Sequence, residues 1–330
     1  MSTLDLAPTI ETYLVPPHRE YLKPLKLTGR LAGTVALSLT AMFATDQVSE
    51  DIIRRTPSRI THYADGDPPA PQNVATLICP GFNVNNPDDI ATALRPVLAR
   101  RGNIAVAHYA DKGLRPRELF KLCNDYCSDR GIDELDIYGH SIGGMVAVEL
   151  AARRARAGQR TRVINLDCTP ESHEHVKGSQ QTGVNFLSTT HHLGLHGGRA
   201  VRYLIDVSID ISNHTSRPTH AMVKAIQKAI AGQPANRLVQ SEARYINSYA
   251  STDFTPALQD TFVSRTEPLD PTRDTVIDNP AAAACWQASL PGELYCVRGN
   301  TGHADPGQSQ SEYLGMMQQI YQAAGIELAA

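Results

Sequence analysis

The feature that most constrains how this chain can fold is the pentapeptide Gly139-His140-Ser141-Ile142-Gly143, followed by Gly144 and set between two segments of opposite character. Before it, Leu135 to Tyr138 is a short apolar run of strand type. After it, Ile142 to Ala157 is Ala-rich, carries Arg153, Arg154 and Arg156 at its far end, and reads as a long helix. A strand that passes into a helix within one residue needs a sharp turn, and side chains beside that turn would collide with neighbouring backbone. Gly139 and Gly143 remove those side chains. The same turn lifts the Ser141 hydroxyl above the carboxyl end of a sheet and sets it at a helix N-terminus, where the dipole favours developing negative charge.

The rest of the chain supplies the sheet. Val74 to Ile78, Ile104 to His108 and Arg162 to Asp167 read as further strands, and Arg115 to Asp129 as a helix. Alternation of this kind predicts an α/β fold with a mainly parallel sheet covered by helices on both faces. The rhythm breaks after residue 168, where a His- and Gly-rich stretch is followed by helical patterns from Thr219 to Ile230 and from Ala235 to Tyr249. It resumes with a strand at Thr261 to Arg265, a helix at Pro280 to Ser289, a strand at Glu293 to Arg298 and a helix from Gln308 onward. The expected organisation is therefore an N-terminal extension (1–65), the first part of the core (66–168), an insertion (169–255) and the second part of the core (256–330).

Composition narrows the functional classes. Of 330 residues, 42% are apolar and 20% charged, and a formal net charge of -3 gives no electrostatic handle for polyanions, so nucleic acid is not expected as a partner. The six cysteines are too dispersed for a disulfide scaffold and are expected to be mostly reduced and buried; only Cys123 and Cys127 share a helical face. Leu31 to Thr45 lies behind Lys23, Lys26 and Arg30 like the apolar region of a signal segment, but it starts late and is too short to span a bilayer. Leu27, Leu31, Val35, Leu39 and Phe43 recur at helical spacing, which predicts an amphipathic helix packed on the domain and a cytoplasmic protein. Export or membrane association through residues 31–45 is the alternative.

A serine hydroxyl needs a base to take its proton, and behind a turn of this type the partners follow in the order acid, then histidine. His303, in Gly299-Asn300-Thr301-Gly302-His303-Ala304-Asp305, follows the last predicted strand, where a loop returns over the sheet. His140 is a neighbour whose side chain is directed away from that of Ser141. The acid that orients His303 comes from the stretch that holds Asp270, Asp274 and Asp278. Asp274 is the expected one, with Asp270, nearer the strand end, as the alternative; the others would be turn or helix-cap residues. Two backbone N–H donors for an oxyanion are expected from Ile142 and from Phe82, in the loop Cys79-Pro80-Gly81-Phe82-Asn83.

With these pieces placed, the chain resembles the α/β-hydrolase superfamily, and its GHSIGG elbow is most like those of lipases and esterases. The resemblance covers roughly residues 72–168 and 258–325. It implies that residues 169–255 form a helical cap over the site, and that the protein is a serine hydrolase cleaving carboxylic esters with an apolar acyl group through an acyl-enzyme on Ser141. The implied partner is a small-molecule ester or lipid-like substrate, with no metal, nucleotide or redox cofactor. A thioesterase or acyltransferase with the same residues is one alternative, and a non-catalytic binding protein another. His173, His175, His191, His192 and His196 could instead bind a metal, against which a solvent-exposed loop is the expected reading. The chain departs from many relatives in having Pro80-Gly81 where they have His-Gly, and its N-terminal extension has no counterpart there.

Overall fold

The computed structural model describes residues 55–84, 86–196, 234–249, 254–298 and 302–329, with isolated positions between 40 and 52. The helix expected at Thr219 to Ile230 and most of Leu31 to Thr45 lie outside the described residues, while Thr40, Ala41, Ala44 and Thr45 are helical. The described elements in chain order are β1 (Arg59–Ala64), β2 (Val74–Cys79), α1 (Asp88–Arg101), β3 (Asn103–His108), α2 (Pro116–Arg130), β4 (Glu134–His140), α3 (Ile142–Arg156) and β5 (Thr161–Asp167). There follow α4 (Gly178–His192), α5 (Asn236–Ser248), the short α6 (Thr255–Leu258), β6 (Phe262–Pro268), α7 (Asn279–Ser289), β7 (Glu293–Val297) and α8 (Gln310–Ala323).

The seven strands form one sheet in the order β1-β3-β2-β4-β5-β6-β7, parallel except for β1, which runs antiparallel to β3. All six residues of β2 are buried, as a central parallel strand covered on both faces requires. On one face, α1 and α8 bring Leu94, Leu98, Tyr313, Ile320 and Tyr321 onto Ile78, Ile104 and Val106. On the other, α2 and α3 bring Leu119, Cys123, Met145 and Leu150 onto Leu77, Leu135 and Ile137. Each such aliphatic side chain, once fully buried, contributes roughly 1.5–3 kcal/mol, which makes this two-faced core the main stabilising element.

Two expectations need correction. Residues 59–64 belong to the sheet and not to an extension: β1 is an edge strand, RITHYA, whose side chains are exposed or half-buried, so it lacks the apolar run that marks the central strands. The His-rich stretch is not a solvent-exposed loop. Residues 178–192 form α4, with Gly183, Val184, Leu187 and Ser188 on its buried face, and it packs against α5. His175 and His196 are buried, His196 Nδ1 lying 2.8 Å from Gln240 Oε1. Cys79, Cys123, Cys127 and Cys168 are buried and Cys285 and Cys296 exposed, none of them in a disulfide. Among the described residues no helix is long and apolar enough to cross a membrane.

The register brings the ends of three strands together. Cys79 on β2 stands opposite Gly139 on β4, and His140 opposite Asp167 on β5, so the turn at Ser141 opens in a gap at the carboxyl edge of the sheet. That edge is where parallel α/β sheets place their sites.

Candidate active site

Ser141 joins β4 to α3 with φ 52° and ψ -125°, a conformation that costs a non-glycine residue of order 1–3 kcal/mol and has to be enforced by its surroundings. The enforcement is close packing. A Cβ on Gly139 would lie 2.4 Å from Gly144 Cα, one on Gly143 would lie 2.1 Å from the Cys79 carbonyl oxygen, and one on Gly144 would lie 2.0 Å from Thr169 Oγ1. Ser141 N–H donates to the Asp167 carbonyl at 2.8 Å, which ties the turn to β5.

His303, past the end of β7, meets this serine. Ser141 Oγ and His303 Nε2 are 2.8 Å apart, and His303 Nδ1 is 2.9 Å from Asp274 Oδ2, which makes a continuous chain from hydroxyl to imidazole to carboxylate. With Nδ1–H facing the carboxylate, Nε2 is left to accept the serine proton. Asp274 is fully buried. Burial raises its pKa, but the His303 charge and hydrogen bond, with the Ile277 and Val276 N–H groups, outweigh this and hold the carboxyl below its ordinary value. Its Oδ1 accepts Val276 N–H at 2.8 Å and Ile277 N–H at 2.9 Å, and its Oδ2 also accepts Asn279 Nδ2–H at 2.8 Å.

The other two aspartates of this loop have the roles of turn and cap. Asp270 is exposed and accepts Thr272 N–H at 3.1 Å and Thr272 Oγ1–H at 2.7 Å; Asp278 accepts Ala281 N–H at 3.4 Å as the N-cap of α7.

Several positioning residues escape a reading of the sequence. Val176 and Ile277 form an antiparallel bridge, flanked by Lys177 N–H to the Val276 carbonyl and Asp278 N–H to the His175 carbonyl, both 2.8 Å. Lys177 Nζ donates to the Asp274 carbonyl at 2.7 Å. The Asp274 loop is thus fastened to the segment that leads from β5 into α4. The loop after β2 is fastened as well: Tyr109 Oη donates to the Pro80 carbonyl at 3.1 Å, and the buried Glu242 on α5 accepts Asn83 N–H at 3.2 Å. His140 Nε2 donates to the Ala304 carbonyl at 2.6 Å and so holds the residue after His303. Burial, and then the nearby His303, push the His140 pKa down to about 4, so this imidazole is neutral near pH 7.

Phe82 and Ser141 line a cavity of about 70 Å³ with Pro170, Val176, Gln180, Gly183, Val184, Leu187, Ile246, Val276 and Ile277. Ile142 is the first residue of α3, and an N–H in that first turn has no intrahelical partner. A larger cleft of about 1010 Å³, around Arg156, Arg160, Thr161 and Asp260, lies at the opposite edge of the sheet and, among the described residues, has no Ser, Cys or His in its lining. Beneath the turn, Asp167 accepts hydrogen bonds from the hydroxyls of Tyr138 and Tyr313, and burial pushes its pKa up to about 7.

Metal-ligand side chains converge at two places among the described residues, Cys168 with Asp274 and His303, and Glu171 with His175 and Cys285. In the first, the imidazole and carboxylate already bond each other. In the second, His175 Nδ1 accepts Ser172 N–H at 3.2 Å. His173, His191, His192 and His196 join neither cluster.

No family model matches the chain. No curated protein matches it in sequence. Solved structures do match in shape. An α/β hydrolase enzyme, MGS-M2, from a Medee basin deep-sea metagenome library superposes with a TM-score of 0.57 at 11% identity, over 80% of this chain and 93% of its own. MenH from S. aureus gives 0.54 at 13% identity, over 80% and 99%. A hydrolase from Oleispira antarctica gives 0.52 at 13% identity, over 83% and 97%. Shared topology over nearly the full length of these structures, together with the seven-stranded sheet and the strained turn at Ser141, shows that the chain has the α/β-hydrolase fold.

Proposed function

We propose that the protein is a serine hydrolase that cleaves carboxylic esters with an apolar acyl group, with Ser141 as nucleophile, His303 as general base and Asp274 as the orienting acid. The observation that carries this reading is the unbroken line from Ser141 Oγ through His303 to buried Asp274, with both hydrogen bonds at 2.8–2.9 Å. Such a line has a direct chemical use. As Ser141 Oγ attacks the ester carbonyl, its proton passes to His303 Nε2, and the imidazolium is stabilised by Asp274. The N–H groups of Phe82 and Ile142 receive the oxyanion. His303 then protonates the departing alcohol, leaving an acyl group on Ser141. Water, deprotonated by His303, attacks this acyl-enzyme, and collapse returns the proton to Ser141 and releases the acid.

Preference for an apolar acyl group is supported by the side chains beside Ser141, which are almost all aliphatic or aromatic. α4 and α5 bear Val184, Leu187 and Ile246 of that lining and would act as the cap over the site. Hydrolase is also the description of two of the structures compared above. Hydrolysis of p-nitrophenyl esters by the wild-type chain and by Ser141→Ala tests the proposal. Turnover that disappears in the variant is expected; equal turnover by both would overturn it.

A further inference from the structure

The loop that carries the Phe82 N–H is held on both sides of that group. Tyr109 Oη donates to the Pro80 carbonyl at 3.1 Å, which fixes the peptide plane before Gly81. Glu242 Oε2 accepts Asn83 N–H at 3.2 Å, which fixes the plane after Phe82. The Gly81–Phe82 plane, whose N–H would receive the oxyanion, lies between the two. Gly81 has no slack towards His140, since a Cβ there would lie 2.4 Å from His140 Nδ1. Asn83 stands at φ 59°, in the left-handed region that a non-glycine residue keeps only where its surroundings hold it.

The two holds differ in origin. Tyr109 directly follows the core strand β3, whereas Glu242 belongs to α5, which lies in the chain between β5 and β6. Glu242 is 1% exposed, and a hydrogen bond buried in this way is stronger than one made in water. Its helix is a firm support. Ser241 Oγ accepts Leu114 N–H at 2.7 Å, and Tyr245 Oη donates to Glu149 Oε2 on α3 at 2.7 Å. Ile246, one turn beyond Glu242, lines the cavity that Phe82 and Ser141 share. One helix therefore both walls the site and grips the loop that would bind the oxyanion.

We infer that Glu242 is a positioning residue for the oxyanion, through which α5 sets the direction of the Phe82 N–H. This rests on the serine-hydrolase reading above and goes beyond it in giving the helix between β5 and β6 a part in stabilising the transition state. Glu242 acts on the reaction through Asn83. Because the oxyanion exists only in the transition state and the tetrahedral intermediate, a loosened Phe82 N–H lowers kcat and leaves KM almost as it was.

The test compares the full wild-type chain with Glu242→Gln, which keeps an acceptor oxygen, and Glu242→Met, which fills a similar volume without one. kcat and KM are read on p-nitrophenyl butyrate, and Ki on trifluoromethyl butyl ketone. Ser141 Oγ adds to the carbonyl carbon of that ketone, its proton passes to His303, and the carbonyl π pair becomes an oxyanion for the Phe82 and Ile142 N–H groups. Loss of one oxyanion donor outright costs about 10²–10³-fold in kcat, so a loosened one should cost about tenfold or more. Glu242→Met is therefore expected to lower kcat by that factor, to raise Ki in proportion and to leave KM little changed, with Glu242→Gln close to wild type. Glu242→Asp draws the acceptor back by one methylene; it should follow the Met variant, and it gives the reading if that variant does not fold. Unchanged kcat and Ki in the folded Met or Asp variant, a loss carried by KM, or a Gln variant as slow as the Met one would overturn the assignment and leave the hydrolase reading standing. Absence of turnover in the wild type would instead remove that reading, and this inference with it.

Discussion

The Ser141 turn and the Asp274 loop reach the same imidazole by opposite means. The turn is local: six consecutive residues, Gly139 to Gly144, form a bend with no room for a Cβ at three of its positions. The Asp274 loop is assembled from a distance. Asp274 sits between β6 and α7 but is held by Lys177, which lies 97 residues earlier, and by Asn279. Precision at the serine therefore comes from steric exclusion, and precision at the aspartate from saturated hydrogen bonding. The two should fail differently when damaged.

The largest effect is expected on the hydrogen-bonded side. Asp274→Asn should lower kcat by about 10³–10⁴-fold, because an amide favours the wrong imidazole tautomer, with little change in the fold measured by circular dichroism. Asp270→Asn should leave kcat almost unchanged, since Asp270 caps an exposed turn. Equal losses in the two variants would erase the distinction drawn between these carboxylates.

On the sterically built side the damage should appear as lost stability. Gly143→Ala places a methyl 2.1 Å from the Cys79 carbonyl, so the turn must distort, at a cost of about 1–3 kcal/mol or more, and Tm should fall together with activity. A variant with wild-type Tm and kcat would show that the packing there is slack.

A third expectation concerns pH and the ground beneath the turn. The folded-state pKa of Asp167 is raised to about 7 from an unfolded value near 3.8, so the native state holds a proton that the unfolded chain has lost. Stability from this group is greatest below about pH 4, declines as pH rises, and is gone above about pH 7. In Asp167→Asn this decline should vanish, so the Tm of the variant relative to wild type should be higher at pH about 8 than at pH about 5. A difference in Tm that does not change with pH would contradict a raised pKa.

The smallest effect is reserved for Asn279→Ala. It removes one of four hydrogen bonds to the Asp274 carboxylate, and a bond to a charged acceptor of this kind is worth about 1.5 kcal/mol or more, so kcat should fall by about tenfold with KM little altered. Unchanged kcat would mean that the other three partners suffice to hold the acid.

The same contrast explains what the sequence made legible. The central strands and the turn were readable because burial on both faces leaves an unbroken apolar run, and because Gly139 and Gly143 are demanded by contacts within a few residues. His303 is legible from its place after the last strand, and of Asp270, Asp274 and Asp278 the structure brings Asp274 to it. β1 stayed hidden because an edge strand needs no such run. The histidines of 173–196 suggested a loop because their polarity masks the face made by Val184 and Leu187, which only contact with α5 reveals. Lys177, Glu242 and Asn279 carry no local signal, since each acts on a backbone group or carboxylate that only the folded chain brings near.

The most direct test of the central claim is to treat the full chain with a fluorophosphonate and locate the adduct by peptide mass spectrometry, in wild type, Ser141→Ala and His303→Gln. The account predicts a single adduct on Ser141 in the wild type, none in Ser141→Ala, and strongly slowed labelling in His303→Gln. An adduct on another residue, or labelling of Ser141 that is equally fast without His303, would contradict it.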